Sequence, residues 1–332
     1  MRQDLRTTTK ANYEVTYDRY IRSGFGKRKI ADLKYSDIVL FYNTLMKEKE
    51  LHIGTIQYIQ RMIRPALQMA VRDNVLRANP ADGVIQLVKR TTRNTETGVR
   101  KALTLDEQRA FINFINDSPF YERWRPLMIV MLGTGVRVGE LIALTWNDVD
   151  FENKTISVNK SLAYFAGRKN KSPSKWLLNN PKTAAGNRTI PMVDTVIDAL
   201  LEEKARQKRD GMHCQTVVNG VSGFIFYNRF YEVYVPESID REIIRMIENY
   251  NSTEELKSIR ENRQPVLLPH FSCHSLRHTF CTRLCEADVH IKVIQSIMGH
   301  KDIHTTLDIY SEVTEWKKKT SIDEAFKNMK LF

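Results

Sequence analysis

No stretch of the chain reaches the roughly eighteen consecutive apolar residues that a membrane-spanning helix needs, and the opening MRQDLRTTTKANYEV lacks the apolar run of a signal peptide. The expectation is a protein that is neither exported nor membrane-spanning, working in a cytoplasm. Cysteine is scarce: Cys214, Cys273, Cys281 and Cys285 are the whole complement, which suits reduced thiols better than a disulfide framework. Glycine (14) and proline (10) are too sparse for a disordered or repeat chain. Hydrophobic residues make up 42% and charged residues 27% of the 332 positions, so the chain folds, and its length favours two domains. Acidic residues are outnumbered, 39 against 51 Lys and Arg, for a net charge of +12. That balance favours a polyanionic partner, because each phosphate neutralised releases condensed counterions. Nucleic acid leads the candidates, although charge alone does not decide it.

The periodicity predicts a fold that is mainly α with a small β-hairpin or sheet (α+β). Tyr13, Tyr17, Tyr20 and Ile21 share a helical face. Ser36 is a candidate cap for DIVLFYNTLMKEK, which turns Ile38, Phe41, Tyr42 and Leu45 inward. Thr55 is one for a run bearing Ile56, Ile59, Ile63, Leu67 and Ala70, where Pro65 should introduce a kink. A short helix from Asp73 to Leu76 precedes the stop at Asn79-Pro80, so residues 1–86 read as one helical domain. Residues 87–103 are polar and basic, a linker suited to lying along a phosphate backbone or simply to being solvated. A second domain, 104–332, opens at Thr104, with Glu107 at the capping-box position. It continues through helical runs to strand-like KTISVNKSL, a polar excursion from Gly167 to Trp176, and strand-like NRTIPM, read together as a hairpin with a long loop. Beyond GFIFYN nearly everything reads helical. The segment from Val235 to Leu268 reads as a solvated helical cover.

Four separated segments carry the chemistry. GTGVRVGELIAL places Arg137 at a helix start after a Gly-rich turn, NPKTAAGNRTI places Lys182 beside a strand, HSLRHTF sets His274 and Arg277 one helical turn apart, and MGHKDIHTTLDIY sets His300 ahead of Tyr310. Singly, each has an ordinary explanation: an Arg137–Glu140 ion pair, a solvated lysine, capping histidines, a core tyrosine. Together they form the inventory of phosphoryl transfer without a metal. Two guanidinium forks meet non-bridging phosphate oxygens bidentately, an acid serves the leaving oxygen, and a phenol serves as nucleophile. A phosphotyrosine diester conserves the bond energy of the cut strand, so no ATP is needed, and cationic neighbours favour the phenolate.

These segments resemble the motifs of tyrosine recombinases, in particular the integrases of phages and conjugative transposons of Gram-positive bacteria. GTGVRVGELIAL resembles the first arginine box, NPKT with NRTIP the hairpin lysine motif, HSLRHTF the second arginine box, and GHKDIHTTLDIY the final histidine and tyrosine box. TTTKANYEVTYDRYI, GKRKIADLKYSDIVLFYNTL and NPADGV resemble the helical core-binding domain, so the likeness spans essentially the whole chain, which begins almost directly at that domain rather than at an arm-binding one. The resemblance implies that Arg137 and Arg277 hold the scissile phosphate and that Lys182 protonates the departing 5′ oxygen. His274 would aid proton transfer at the nucleophile, His300 would contact a phosphate oxygen, and Tyr310 would attack to leave a 3′-phosphotyrosine. It implies no cofactor and no metal. The implied partners are double-stranded DNA at attachment or core sites, a homotetramer on that DNA, and an accessory excision factor or host DNA-bending protein, at the nucleoid. Glu140 would orient Arg137, and His278 would point away from the site. The segment SEVTEWKKKTSIDEAFKNMKLF would be a helix donated to a neighbouring subunit.

The sequence leaves two rival classes open. His274 with His278 and Cys281 with Cys285 stand at metal-ligand spacing, as in a zinc module or a metal-dependent nuclease. A non-catalytic DNA-binding regulator on the same fold would tolerate loss of the tyrosine or an arginine, yet all six positions are filled.

Overall fold

The computed structural model describes residues 7–91, 102–165, 175–180 and 186–313. They form two compact units, Met1–Val99 and Arg100–Phe332.

The first unit is helical. Helix α1 (Thr7–Thr16) passes into a π-helical turn over Tyr17–Ile21. Ala11, Thr16 and Ile21 are the buried positions, a spacing of five that follows the wider turn, and Tyr17 is exposed rather than inward. Helix α2 (Tyr35–Glu48) starts before Ser36, because Asp37 reaches back to accept from the Lys34 backbone N–H at 3.0 Å. Helix α3 (Ile53–Arg72) is capped by His52, whose Nδ1 accepts from the Gly54 N–H at 3.1 Å, and not by Thr55. It continues through Pro65 as helix. The expected helix from Asp73 is instead a closing turn: Asn74 is left-handed, and Val75 and Leu76 both donate to the Ala70 carbonyl. Helix α4 (Val84–Thr91) then runs into the stretch read as linker, burying Val84 and Val88 against α2 and α3.

In the second unit, Thr104 and Glu107 close the expected capping box on α5 (Leu105–Asp117). Helix α6 (Arg125–Thr134) is buried on almost every side and ends at Gly135, whose φ of 61° is the left-handed cap. A side chain there would also meet the Phe280 ring at 2.3 Å. One turn later the four-residue α7 (Val138–Leu141) begins, with Arg137 as its N-cap residue.

Strands β1 (Val149–Asp150), β2 (Thr155–Val158) and β5 (Arg188–Pro191) form an antiparallel sheet in which Ile156 faces Ile190 and Val158 faces Arg188. The expected hairpin is therefore present, but its loop holds a second one: β3 (Ser161–Phe165) pairs with β4 (Lys175–Asn179), and Tyr164 packs edge-on against Trp176. Helix α8 (Asp194–Asp210) packs on α6. The expected solvated cover is the 26-residue α9 (Pro236–Glu261), which drives Ile239, Ile243, Met246 and Ile247 into the main core. Its Asp240 accepts from the Cys273 N–H at 2.8 Å, fixing the start of α10 (Cys273–Glu286). Helix α11 (Ile291–Met298) and a helix over 304–313, α12, complete the described chain. All four cysteines are buried, and none is in a disulfide. Among the described residues no helix is long and apolar enough to cross a membrane.

Candidate active site

Arg137, His274, Arg277 and His300 wall one cleft of about 340 Å³, together with His278, Met298, Lys301, Asp302, Thr305 and Ile309. Positions separated by as many as 172 residues thus meet where the start of α7, the first turns of α10, the end of α11 and α12 come together. His278 belongs to this wall, contrary to the expectation that it points away. On α10 it follows His274 by four residues, which places the two side chains on one helical face.

Backbone geometry supplies the arginine mounts. Extended φ and ψ at Arg137 (−71°, 150°) open α7, and its N–H is taken by Glu140 Oε2 at 2.9 Å. Its guanidinium donates to Glu140 Oε1 at 2.8 Å and to the Gly299 carbonyl at 3.1 Å. Arg277 rises from α10 and is almost fully buried, donating to the Gly135 carbonyl at 2.5 Å and to the Met298 carbonyl. Burial and the nearby charge of Arg137 push the Arg277 guanidinium down to about 9. It is still cationic at neutral pH, but in surroundings that disfavour its charge, and a bound anion would relieve that cost.

His300 follows Gly299, which is left-handed at the end of α11, and its Nδ1 meets the Thr306 hydroxyl at 2.9 Å. Burial, then the charges of Arg277 and Arg137, lower its imidazole to about 4. At neutral pH it is uncharged and offers one N–H and one lone pair, with the tautomer governed by Thr306.

Tyr310 lies on α12 next to Ile309 and packs against an apolar cluster of Cys281, Cys285, Ile294, Met298, Ile309 and Val313, of which Met298 and Ile309 also wall the cleft. It is half-buried there and does not itself wall the cleft. Lys182 and the segment 314–332 fall outside the described residues. Tyr227 and Tyr234, rival aromatics by type, are committed to the main core.

Sequence reasoning overlooked Arg188. From β5 it donates to Glu140 through both terminal nitrogens, at 3.2 and 2.9 Å, and through Nε to the Ile297 carbonyl at 2.6 Å. Its position in the inward phase of the alternating NRTIP strand was the available signal: a charge at a buried strand position demands a partner. Burial would raise the Glu140 carboxyl, but Arg188, and after it Arg137, bring it down to about 2.

Among the described residues no three His, Cys, Asp or Glu side chains are grouped to hold a metal ion, so the donor set of a zinc module is missing there. A profile described as "Phage integrase family" matches residues 101–316, and one described as "Phage integrase, N-terminal SAM-like domain" matches residues 1–46. The chain belongs to the phage integrase family. It is a tyrosine-type site-specific DNA recombinase, an enzyme that cuts and rejoins DNA strands.

Among relatives, the transposase from transposon Tn916 of Enterococcus faecalis is 28% identical, over 94% of this chain and 71% of its own length. A XerC-like tyrosine recombinase of Caldanaerobacter subterraneus subsp. tengcongensis is also 28% identical, over 97% of this chain and 78% of its own. Among solved structures, the Tn1549 transposon integrase in complex with circular intermediate DNA superposes with a TM-score of 0.78 at 27% identity, covering 93% of this chain and 91% of that one.

Proposed function

We propose that the chain inserts and excises a mobile element, with Tyr310 as nucleophile and the cleft of Arg137, His274, Arg277 and His300 as the phosphate site. The observation that carries this reading is the convergence of those four side chains, two guanidiniums and two imidazoles, on one cavity beside the tyrosine helix. The likeness to an integrase bound to circular intermediate DNA supports a DNA junction as substrate.

Arg137 and Arg277 hold the non-bridging oxygens and stabilise the charge that builds on them in the transition state. The Tyr310 oxygen forms a bond to phosphorus as the bond to the 5′ oxygen breaks, leaving a 3′-phosphotyrosine. Lys182 gives its proton to the departing 5′ oxygen, His274 assists the proton leaving the phenol, and His300, neutral, donates to a phosphate oxygen. Attack by a 5′ hydroxyl of the partner strand reverses these steps and rejoins the DNA, through a Holliday junction.

In this reading residues 1–86 bind the core site, 87–103 link, and 104–332 catalyse. Exchange at two paired sites needs four nucleophiles, hence a homotetramer on the DNA, with the 314–332 segment donated between subunits. An excision factor or a DNA-bending protein would set direction.

The test is a nicked suicide duplex carrying the element's own junction, from which the fragment beyond the cut diffuses away. A covalent adduct at the DNA 3′ end, stable to SDS and removed by protease, is expected. Tyr310→Phe keeps the ring and should bind DNA without forming it. An adduct from Tyr310→Phe at the wild-type rate, or DNA mapped to another residue, would refute the assignment.

A further inference from the structure

Three arginines converge on three successive carbonyls at the end of α11: Arg188 on Ile297, Arg277 on Met298 and Arg137 on Gly299. Carbonyls of a last helical turn lack intrahelical partners and carry the negative end of the helix dipole, so cations are well placed there. Two of the three arginines, Arg137 and Arg277, also wall the cleft. Arg188 does not, and its side chain is only 4% exposed.

We propose that Arg188 is a positioning residue for strand cleavage, holding Glu140 and the end of α11 so that Arg137 and His300 meet the same phosphate with the charge of Arg137 left available to it. The inference rests on the phosphate-site reading above.

Geometrically, Arg188 ties three elements: its own strand β5, α7 through Glu140, and α11 through Ile297. His300 leaves α11 three residues after that carbonyl, and Arg137 shares the Glu140 carboxylate. A shift at Arg188 is therefore passed to both cleft residues.

Electrostatically, Glu140 sits between two guanidiniums. It meets Arg188 through both oxygens and Arg137 through one side-chain contact, and the Arg137 side chain keeps 43% of its surface exposed. With Arg188 present the carboxylate is neutralised from behind, and Arg137 retains net positive charge toward the cleft. Without Arg188 the same carboxylate falls to Arg137 alone, and the phosphate meets a site poorer by one positive charge.

The experiment compares single-turnover adduct formation by wild type, Arg188→Gln and Arg188→Lys on two nicked junction duplexes. One carries the natural phosphate and the other a methylphosphonate, which lacks one non-bridging charge, at the scissile position. Misplacement of reacting groups on the scale of an ångström costs about 10²-fold, the loss expected for Arg188→Gln on the phosphate duplex. On the methylphosphonate duplex, where the arginines have less charge to hold, the deficit relative to wild type should shrink to a few-fold. Arg188→Lys, which keeps the charge but loses the fork, should fall between.

An Arg188→Gln rate equal to wild type overturns the proposal. Equal deficits on both duplexes also overturn it, because a merely structural defect would not distinguish them. Should Arg188→Gln fail to fold, Arg188→Met, which also removes the charge while keeping much of the length of the side chain, carries the same comparison with the same refuting results. Absence of any wild-type adduct, or an adduct from Tyr310→Phe, would instead bring down the reading on which the proposal rests.

Discussion

Replacing Glu140 with Gln tests the centre of this arrangement. The carboxylate accepts from the Arg137 N–H and from both neighbouring guanidiniums, at distances between 2.8 and 3.2 Å, while its side chain is only 8% exposed. An amide removes the charge, turns one acceptor into a donor facing other donors, and strands the buried Arg188 cation. The carboxyl lies at about 2 instead of 4.5 because hydrogen bonds and charge from Arg188 outweigh its burial. At about 1.4 kcal/mol per pH unit, that drop corresponds to about 3 kcal/mol of stability at neutral pH. Breaking a buried ion pair by removing one partner costs roughly 3–5 kcal/mol, so two independent routes converge.

The sign follows from the direction of the drop. A carboxyl whose folded value is depressed stabilises the fold above its unfolded value of 4.5, and the contribution is lost as pH falls toward about 2. The difference between wild type and Glu140→Gln should therefore be full at pH 7 and close progressively below pH 4.5. All four tryptophans, Trp124, Trp146, Trp176 and Trp316, lie in the second unit, so their fluorescence during urea unfolding reports that unit alone. Stability of Glu140→Gln within about 0.5 kcal/mol of wild type at pH 7, the range usual for uninvolved surface positions, would refute the reasoning. So would a difference that stays constant from pH 7 to pH 3.

Lys182→Ala should slow cleavage by roughly 10²- to 10⁴-fold as a lost general acid, and a bridging 5′-phosphorothiolate, whose sulfur leaves unprotonated, should restore it. Failure of that rescue on a substrate the wild type cleaves would make Lys182 a binding residue. EDTA should leave adduct formation intact, because arginines supply the charge a metal would bring; loss reversed by magnesium would contradict this. Binding of the junction duplex should fall steeply with salt, and a flat profile would count against phosphate-dominated contact. His300, lowered to about 4 by burial and the arginines, should cost stability as pH falls from 6.5 toward 4, a loss that His300→Asn should abolish in urea unfolding.

The candidate site was legible where the residue type itself suits the proposed chemistry. Arg137, His274, Arg277 and His300 could be picked out as forks and imidazoles before their convergence was known, and the Thr104 box and the apolar face of α3 could be read because both are local patterns. What escaped was set by contacts between distant positions or by backbone. Ser36 and Thr55 had capping chemistry, but it is Asp37 and His52 that accept from N–H groups at the helix starts, those of Lys34 and Gly54. Lys175–Asn179 has little strand signal of its own and gains it by pairing with Ser161–Phe165.

Apart from Glu140, whose pairing with Arg137 was expected, the supports of the site belong to that second kind. A carbonyl accepts the same hydrogen bond whatever side chain its residue bears, so the end of α11, which receives three guanidiniums, leaves no mark in the identities of Ile297, Met298 or Gly299 beyond the glycine that permits the turn. Gly135 works in the same way: its missing side chain admits the Phe280 ring, and its carbonyl holds Arg277. The cations of the cleft are thus aimed largely by main-chain atoms, which substitution cannot remove without moving the chain. Glu140 and Arg188 are the side-chain exceptions. They are therefore the two positions at which mutation can separate how the arginines are held from what the arginines do.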